Sequence, residues 1–310
     1  IRDSLSCESK QIQVANSWGV FKDIYCAGND SVFIFLEDIF QEITELFPSN
    51  RIHIGGDEAP KFRWENCEKC QKRMAQENLK DEHNLQSYFI ERIAKVLEKK
   101  NKSIIGWDEI IESEINSDVT IQSWRGFSGG IQSVQEGKKT IMSPTSHCYF
   151  DYDINTIDLE KVYNFNPIPA EIDSLESELI IGGECNLWSE RIPSEKELDR
   201  KTFPRLLAMS EVLWTYRKNK FENFQNRVED HYPILSRLDV HYGIESSPVR
   251  LSSKINNRKI KAVVNSKIKN LEFTYQWNNE EAKPIKKNGE IEIAKSGELT
   301  LQAYKNGKKY

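Results

Sequence analysis

The chain contains no run of about 18 apolar residues, so no segment reads as a membrane-spanning helix. Glycine-rich phosphate loops are missing too: the 15 glycines among 310 residues never assemble into a nucleotide cradle. Positive charge is not in surplus, with 43 basic against 48 acidic residues and a net charge of −5. That excludes the electrostatic footprint of a nucleic-acid binder, and the one basic-rich stretch, Lys254 to Lys269, reads as a solvated linker. Ile1-Arg2-Asp3-Ser4 has neither the charged nor the apolar part of a signal peptide, and there is no initiator Met. A mature or truncated product is therefore expected. Cysteine is sparse and scattered, at Cys7, Cys26, Cys67, Cys70, Cys148 and Cys185. Cys67-x-x-Cys70 has the spacing of half a zinc site, but no second C-x-x-C and no paired His follows it. The expectation is no metal, no cofactor, and cysteines that are free or partly disulfide-bonded.

What is present is an alternation of helix and strand patterns. After Gly28-Asn29-Asp30-Ser31, apolar residues from Phe33 to Leu46 recur at helical spacing, and Pro48 ends the run. The strand Arg51–Gly55 follows. A second helix is predicted from about Asn84 to Lys100, then strands at Ser103–Gly106 and Val119–Ser123. A helix over Gly129–Gly137 precedes a strand at Thr140–Ser143. A strand at Glu178–Gly183 and helices at Phe203–Thr215 and Phe221–Tyr242 complete this part. Five strands alternating with helices predict parallel βαβ units. Polar and aromatic residues gather at the strand C-termini, which favours an α/β (β/α)8 TIM-barrel type over an open doubly wound sheet. Beyond about residue 250 short alternating strands, split by Asn-Asn, Asn-Gly and Ser-Gly turns, predict a small antiparallel β module. The domain expectation is 1–250 for the barrel part and 251–310 for the module, with its truncation at Tyr310 left open.

The chemistry concentrates in Arg51-Ile52-His53-Ile54-Gly55-Gly56-Asp57-Glu58. Acid pairs are common on solvated faces, as at Asp81-Glu82 and Glu280-Glu281. Here, however, a strand delivers them after two glycines, which permit close approach of a ligand. Two close carboxylates disfavour joint ionisation, and a carboxyl held protonated can serve as a general acid. Trp107, Trp124 and Trp188 each follow an apolar strand. A single Trp is usually core, but three at equivalent strand ends wall a pocket suited to a sugar, whose C–H faces pack on rings. Trp18, Trp64, Trp214 and Trp277 lack this placement and read as packing or loop residues.

In order along the chain stand His53-x-Gly55-Gly56-Asp57-Glu58, Gly106-Trp107-Asp108-Glu109, Gln122-Ser123-Trp124-Arg125-Gly126, Tyr149-Phe150-Asp151 and Trp188-Ser189-Glu190. Together they resemble the β-N-acetylhexosaminidases of glycoside hydrolase family 20, and the resemblance runs over about residues 1–245. Trp18-Gly19-Val20-Phe21 and Phe203-Pro204-Arg205-Leu206-Leu207 fit as well. The tail, with Lys295-Ser296-Gly297 and Lys305-Asn306-Gly307, is similar to the β domain that follows the barrel in some members. The resemblance implies exo-acting hydrolysis of terminal β-linked N-acetylglucosamine or N-acetylgalactosamine. It implies Glu58 as general acid/base, Asp57 as the carboxylate orienting the 2-acetamido group, and Tyr149 as donor to the acetamido oxygen. Trp107, Trp124 and Trp188 match the walls around the sugar, and Asp151 and Glu190 match the acids on its hydroxyls. The implied partner is a glycan carrying β-linked N-acetylhexosamine, and the implied setting is an exported enzyme.

The resemblance also sets Arg51–Gly55 as the fourth barrel strand. Strands one to three, and the arginine of the first that grips the sugar, are then absent, and the segment Gln11–Gly28 becomes the loop before the first helix. The expectation is a fragment with about strands 4–8. Two other readings stay open here: a degenerate barrel that binds amino sugars without turnover, and a glycosidase with a conventional nucleophile at Asp108 or Glu190.

Overall fold

The computed structural model describes residues 5–8, 12–112, 114–216, 220–256, 259–293, 296–305 and 307–310. The expectations placed on Ile1 to Ser4, Gln11, Lys295 and Asn306 lie outside them. The chain divides into two compact units: Ile1–Cys148 with Asn166–Cys185, and Tyr149–Phe165 with Asn186–Tyr310.

The first unit is a parallel β/α arc. Helix α1 (Asp30–Leu46) starts where the Asn29 side chain accepts from the Ser31 N–H at 3.1 Å, satisfying a backbone donor that the first helical turn leaves open. β1 (Arg51–His53) follows, then α2 (Phe62–Glu65), α3 (Glu68–Glu77) and α4 (Glu82–Glu98). α4 is capped by Asp81, which accepts from the Asn84 N–H at 2.9 Å. β2 (Ser103–Trp107) runs into a 3₁₀ turn, Asp108–Ile111; then come β3 (Val119–Ser123), α5 (Ser128–Gln135), β4 (Thr140–Met142), α6 (Thr145–Cys148) and, past residue 166, β5 (Ile180–Gly183). The five strands lie in the order β1-β2-β3-β4-β5, each parallel to its neighbour.

This is the incomplete TIM-barrel-type sheet expected from the alternation, with each crossover made by helix or turn. β3 is buried along its whole length, as a central parallel strand covered on both faces must be. Phe33, Ile52, Ile90, Ile93, Leu97, Ile104, Ile110, Val119 and Ile121 form one core between sheet and helices. Each such side chain contributes roughly 1.5–3 kcal/mol on leaving water. α2 and α3 were not anticipated, because their stretch is polar and Lys-rich and shows no apolar stripe.

In the second unit α7 (Leu159–Tyr163) is capped by Asp158, whose side chain accepts from the Lys161 N–H at 2.9 Å. Helices α8 (Glu195–Thr202), α9 (Arg205–Thr215) and α10 (Phe221–Arg237) follow. Tyr163 stacks on Phe224 with ring centroids 4.5 Å apart, joining α7 to α10. The remaining strands are antiparallel. β6 (Arg250–Asn256), β7 (Lys259–Asn265) and β10 (Glu290–Ile293) form one sheet, ordered β10-β7-β6; β8 (Glu272–Trp277), β9 (Lys283–Ile285), β11 (Leu299–Lys305) and β12 (Lys308–Lys309) form another, ordered β12-β11-β8-β9. Ala262, Val264, Phe273, Ile291 and Ala303 make their core.

Trp64 packs in the interior of the first unit, its indole N–H donating to the Tyr25 carbonyl at 2.9 Å. Trp214 differs from expectation: it stands on α9 and is 87% exposed, neither packed nor in a loop.

Candidate active site

β1 ends three residues before Gly56, and the chain then turns sharply. Gly55 and Gly56 have φ of 74° and 95°, and Glu58 has φ 46°. Only glycine takes the left-handed region freely. At Gly56 space is also decisive, since a Cβ would stand 2.3 Å from Ile110 Cγ2. The turn is pinned on several sides. The Ile54 N–H donates to the Ile105 carbonyl and the Trp107 N–H to the Gly55 carbonyl, both at 2.9 Å. His53 Nδ1 accepts from the Gly55 N–H at 3.1 Å. Gln86 Nε2 on α4 donates to the Gly56 carbonyl at 2.7 Å, and Lys61 Nζ donates to the Ala59 carbonyl at 2.8 Å and to Gln86 Oε1. Asp57 and Glu58 themselves are exposed. The carboxylates are thus carried into solvent by a rigid backbone, which is what a group that must meet a ligand requires.

Two indoles follow on the neighbouring strands. Trp107, the last residue of β2, is buried and packs edge-on against His53 with ring centroids 4.9 Å apart. Trp124, directly after β3, meets Trp107 edge to face at 6.4 Å. The turn holding Trp124 is fixed by Ser123, whose hydroxyl donates to the Gly126 carbonyl at 2.8 Å and accepts from the Gly130 N–H at 2.9 Å. Burial pushes the pKa of His53 down, against the pull of the Glu184 and Asp57 carboxylates, so its imidazole is held toward the neutral form.

The sequence reading missed two residues that organise this corner. Glu109 accepts from Trp124 Nε1 at 2.8 Å, and Arg125 reaches Asp108 at 3.3 Å and Glu112 at 2.6 Å. The signal was present in Trp107-Asp108-Glu109, but nothing in a string of residues says that Glu109 turns toward the next strand's indole. Burial pushes the Glu109 carboxyl up to about 7, while the hydrogen bond from Trp124 and the charge of Arg125 pull the other way. A buried carboxyl raised from its ordinary 4.5 keeps a proton in the folded chain that the unfolded chain has released, so its contribution to stability falls as pH rises from about 4.5 to about 7. Glu109→Gln removes that dependence. The melting temperature of the variant relative to the parent is expected to climb across this window in a calorimetric pH series; a difference that stays flat would refute the assignment.

The second unit places Tyr149, Asp151, Trp188 and Glu190. Tyr149 is buried, bridges to Asn186, and meets the Tyr152 ring at 5.8 Å. Asp151 is 3% exposed. Burial raises its pKa, opposed by backbone N–H donors of Asp151 and Trp188 and by the charges of Arg191 and Lys201. Its Oδ1 is buried and has no hydrogen-bond partner among the described residues. Trp188 and Glu190 are exposed. The tripeptide around Tyr149 hangs on Arg205 of α9, which is 2% exposed. Its guanidinium donates to the carbonyls of Phe150 at 2.5 Å, Ile157 at 3.0 Å, Tyr152 at 3.5 Å and Lys201 at 2.6 Å, and stacks on the Phe150 ring.

A parallel β/α sheet whose acids and indoles follow the C-terminal ends of its strands defines a TIM-barrel-type catalytic domain. Residues 2–217 match the model of "Glycosyl hydrolase family 20, catalytic domain", and the chain belongs to this family. It is 41% identical over 250 residues to a beta-hexosaminidase of Porphyromonas gingivalis, a match that covers 76% of this chain and 32% of that protein. Among solved structures it is similar to the β-N-acetylhexosaminidase of Bacteroides fragilis, with a TM-score of 0.68, 30% identity, and 78% of this chain and 51% of that one covered. It is also similar to the Vibrio harveyi exo β-N-acetylglucosaminidase in complex with N-acetylglucosamine, with a TM-score of 0.66, 27% identity, and coverage of 73% and 38%. The chain therefore spans about a third of the P. gingivalis protein and about half of the B. fragilis chain. No helix among the described residues is long and apolar enough to cross a membrane.

Proposed function

We propose that this chain carries the acid pair of an exo-acting β-N-acetylhexosaminidase that cleaves terminal non-reducing N-acetylglucosamine or N-acetylgalactosamine with retention of configuration. The observation that carries the reading is the Gly55-Gly56-Asp57-Glu58 turn, whose backbone is hydrogen-bonded on both sides while both carboxylates are exposed. A protein that only held sugars would need no acid so exposed and so rigidly mounted beside an aromatic wall.

In this mechanism the substrate's own acetamido oxygen attacks the anomeric carbon and forms a cyclic oxazolinium ion, the substrate-assisted exception to the two-carboxylate scheme. Glu58 protonates the departing glycosidic oxygen, then takes a proton from the incoming water. Asp57 orients the acetamido group and stabilises its nitrogen as positive charge develops. Trp107 and Trp124 pack on the sugar and on the acetamido methyl. The roles proposed for Tyr149 on the acetamido oxygen, Trp188 on the ring, and Asp151 and Glu190 on the hydroxyls rest on their motifs. The unpartnered Oδ1 of Asp151 further supports a hydroxyl acceptor there. We also propose that residues 1–250 belong to the catalytic domain and 251–310 to a β-rich module; the antiparallel strands β6 to β12 among the described residues from Arg250 onward support this.

The test compares nitrophenyl β-N-acetylglucosaminide with the corresponding β-glucoside, in which hydroxyl replaces acetamido. With the acid pair of this chain set in a closed barrel, turnover is expected of the first and not of the second. Comparable rates on both would sink substrate assistance, and binding of N-acetylglucosamine without turnover of either would favour a binding role.

A further inference from the structure

The fold assembles what the sequence left as half a site. Cys67 precedes α3 and Cys70 lies in its first turn; Cys26 lies in the turn before α1, and Cys7 in the short segment that bridges at Ser6 to Tyr25. Cys7 is 63 residues from Cys70, and Cys26 is 41 from Cys67, which is why no motif spacing announces the group. Their four sulfurs lie within 4.8 Å of one another. Cys7 and Cys70 are 3.8 Å apart; Cys26 stands 3.7 Å from both Cys67 and Cys70.

We propose that Cys7, Cys26, Cys67 and Cys70 form a tetrahedral zinc-thiolate site that clamps the N-terminal segment and the start of α1 onto α3. The sulfur spacing carries the inference. With Zn–S of about 2.3 Å, the edge of the coordination tetrahedron, 1.63 times the bond length, is about 3.8 Å. The close contacts 7–70, 70–26 and 26–67 are edges of that length running through all four sulfurs. A pair of disulfides would instead pair the sulfurs off at about 2.0 Å, and all four cysteines are unbridged. Iron–sulfur clusters interpose bridging sulfides and hold their thiolates further apart than one shared metal does. The surroundings suit a closed structural site: Cys26, Cys67 and Cys70 are buried with Ala27, Trp64, Met74 and Leu85. The backbone at Gly28 lies against α3 so closely that a Cβ there would be 2.2 Å from the Lys69 carbonyl. Its N–H faces the sulfurs of Cys26 and Cys70, the kind of donor that supports metal-bound thiolates. The quartet also has a bearing on the acid pair, since the chain passes from Glu58 through α2 to Cys67. A metal there would anchor the far end of the loop that carries Glu58.

The test uses the full 310-residue chain purified without chelator from zinc-containing medium. About one equivalent of zinc is expected by elemental analysis, near zero in Cys67→Ser and Cys70→Ser, and unchanged in Cys185→Ser, which lies outside the quartet. Should the serine variants fold poorly, cobalt(II) exchange into the parent chain provides an independent readout: the intense visible bands of a tetrahedral cobalt thiolate are expected. Chelation is expected to lower the melting temperature. Four of the six thiols tied up in disulfides by intact mass, a metal-free chain with no cobalt thiolate spectrum, iron in place of zinc, or zinc retained in both serine variants would each overturn the proposal.

Discussion

Glu58→Gln is expected to lower kcat on an N-acetylglucosaminide by about 10²–10⁴-fold, the range over which a positioned general acid contributes. The substitution keeps the shape of the side chain on a backbone fixed by Gly55 and Gly56, so binding should change little and the loss should fall on kcat. The size of the loss depends on the leaving group. A nitrophenolate departs with little need of a proton, whereas a sugar hydroxyl does not. The variant should therefore lose more on a disaccharide such as chitobiose than on the nitrophenyl glycoside. Asp57→Asn should also lose rate, because the developing charge on the acetamido nitrogen is no longer matched, but by a similar factor on both substrates. Steady-state kinetics on the two substrates with both variants decides the matter. Equal losses for Glu58→Gln on both leaving groups would remove Glu58 from the role of proton donor.

Arg205→Met should produce the largest change in stability, a loss of about 3–5 kcal/mol, because several buried carbonyls each worth roughly 1–3 kcal/mol lose their donor. For a chain of this size that lowers the melting temperature by on the order of 10 °C. The guanidinium spans Phe150, Tyr152, Ile157 and Lys201 at once, a reach that a single ammonium cannot copy, so Arg205→Lys should recover little. Thermal unfolding followed by circular dichroism checks both variants, and a loss under about 1 kcal/mol in Arg205→Met would show that the network contributes little. Since Phe150 lies between Tyr149 and Asp151, any folded fraction of the variant should also bind sugar less well.

The alternation of apolar runs and helical stripes was enough to place all five parallel strands and the helices α1, α4, α5, α9 and α10, because each carries its own periodicity. Gly55-Gly56 before two acids, and a tryptophan at or after the end of each of three strands, pointed to Asp57, Glu58 and the indoles; the family, and with it Tyr149, Asp151 and Glu190, came from the resemblance of the five ordered motifs. Boundaries moved where local chemistry competes with pattern: the strand expected from Glu178 begins at Ile180 after a 3₁₀ turn, and the last long helix stops at Arg237 rather than Tyr242.

What the sequence determined by itself was whatever is encoded within a dozen neighbouring residues: strand and helix type, the glycine turn, and the presence of the acids and indoles. What only the tertiary structure decided were relations between distant residues. Glu109 reaches an indole on the next strand and is driven toward neutrality by burial. Arg205 gathers carbonyls from a segment some fifty residues upstream. Cys7 and Cys26 meet a C-x-x-C pair that had no visible partners. Periodicity reports which face of an element is buried, but hydrogen bonds, desolvation and sulfur–sulfur distances depend on which elements the sheet order brings side by side.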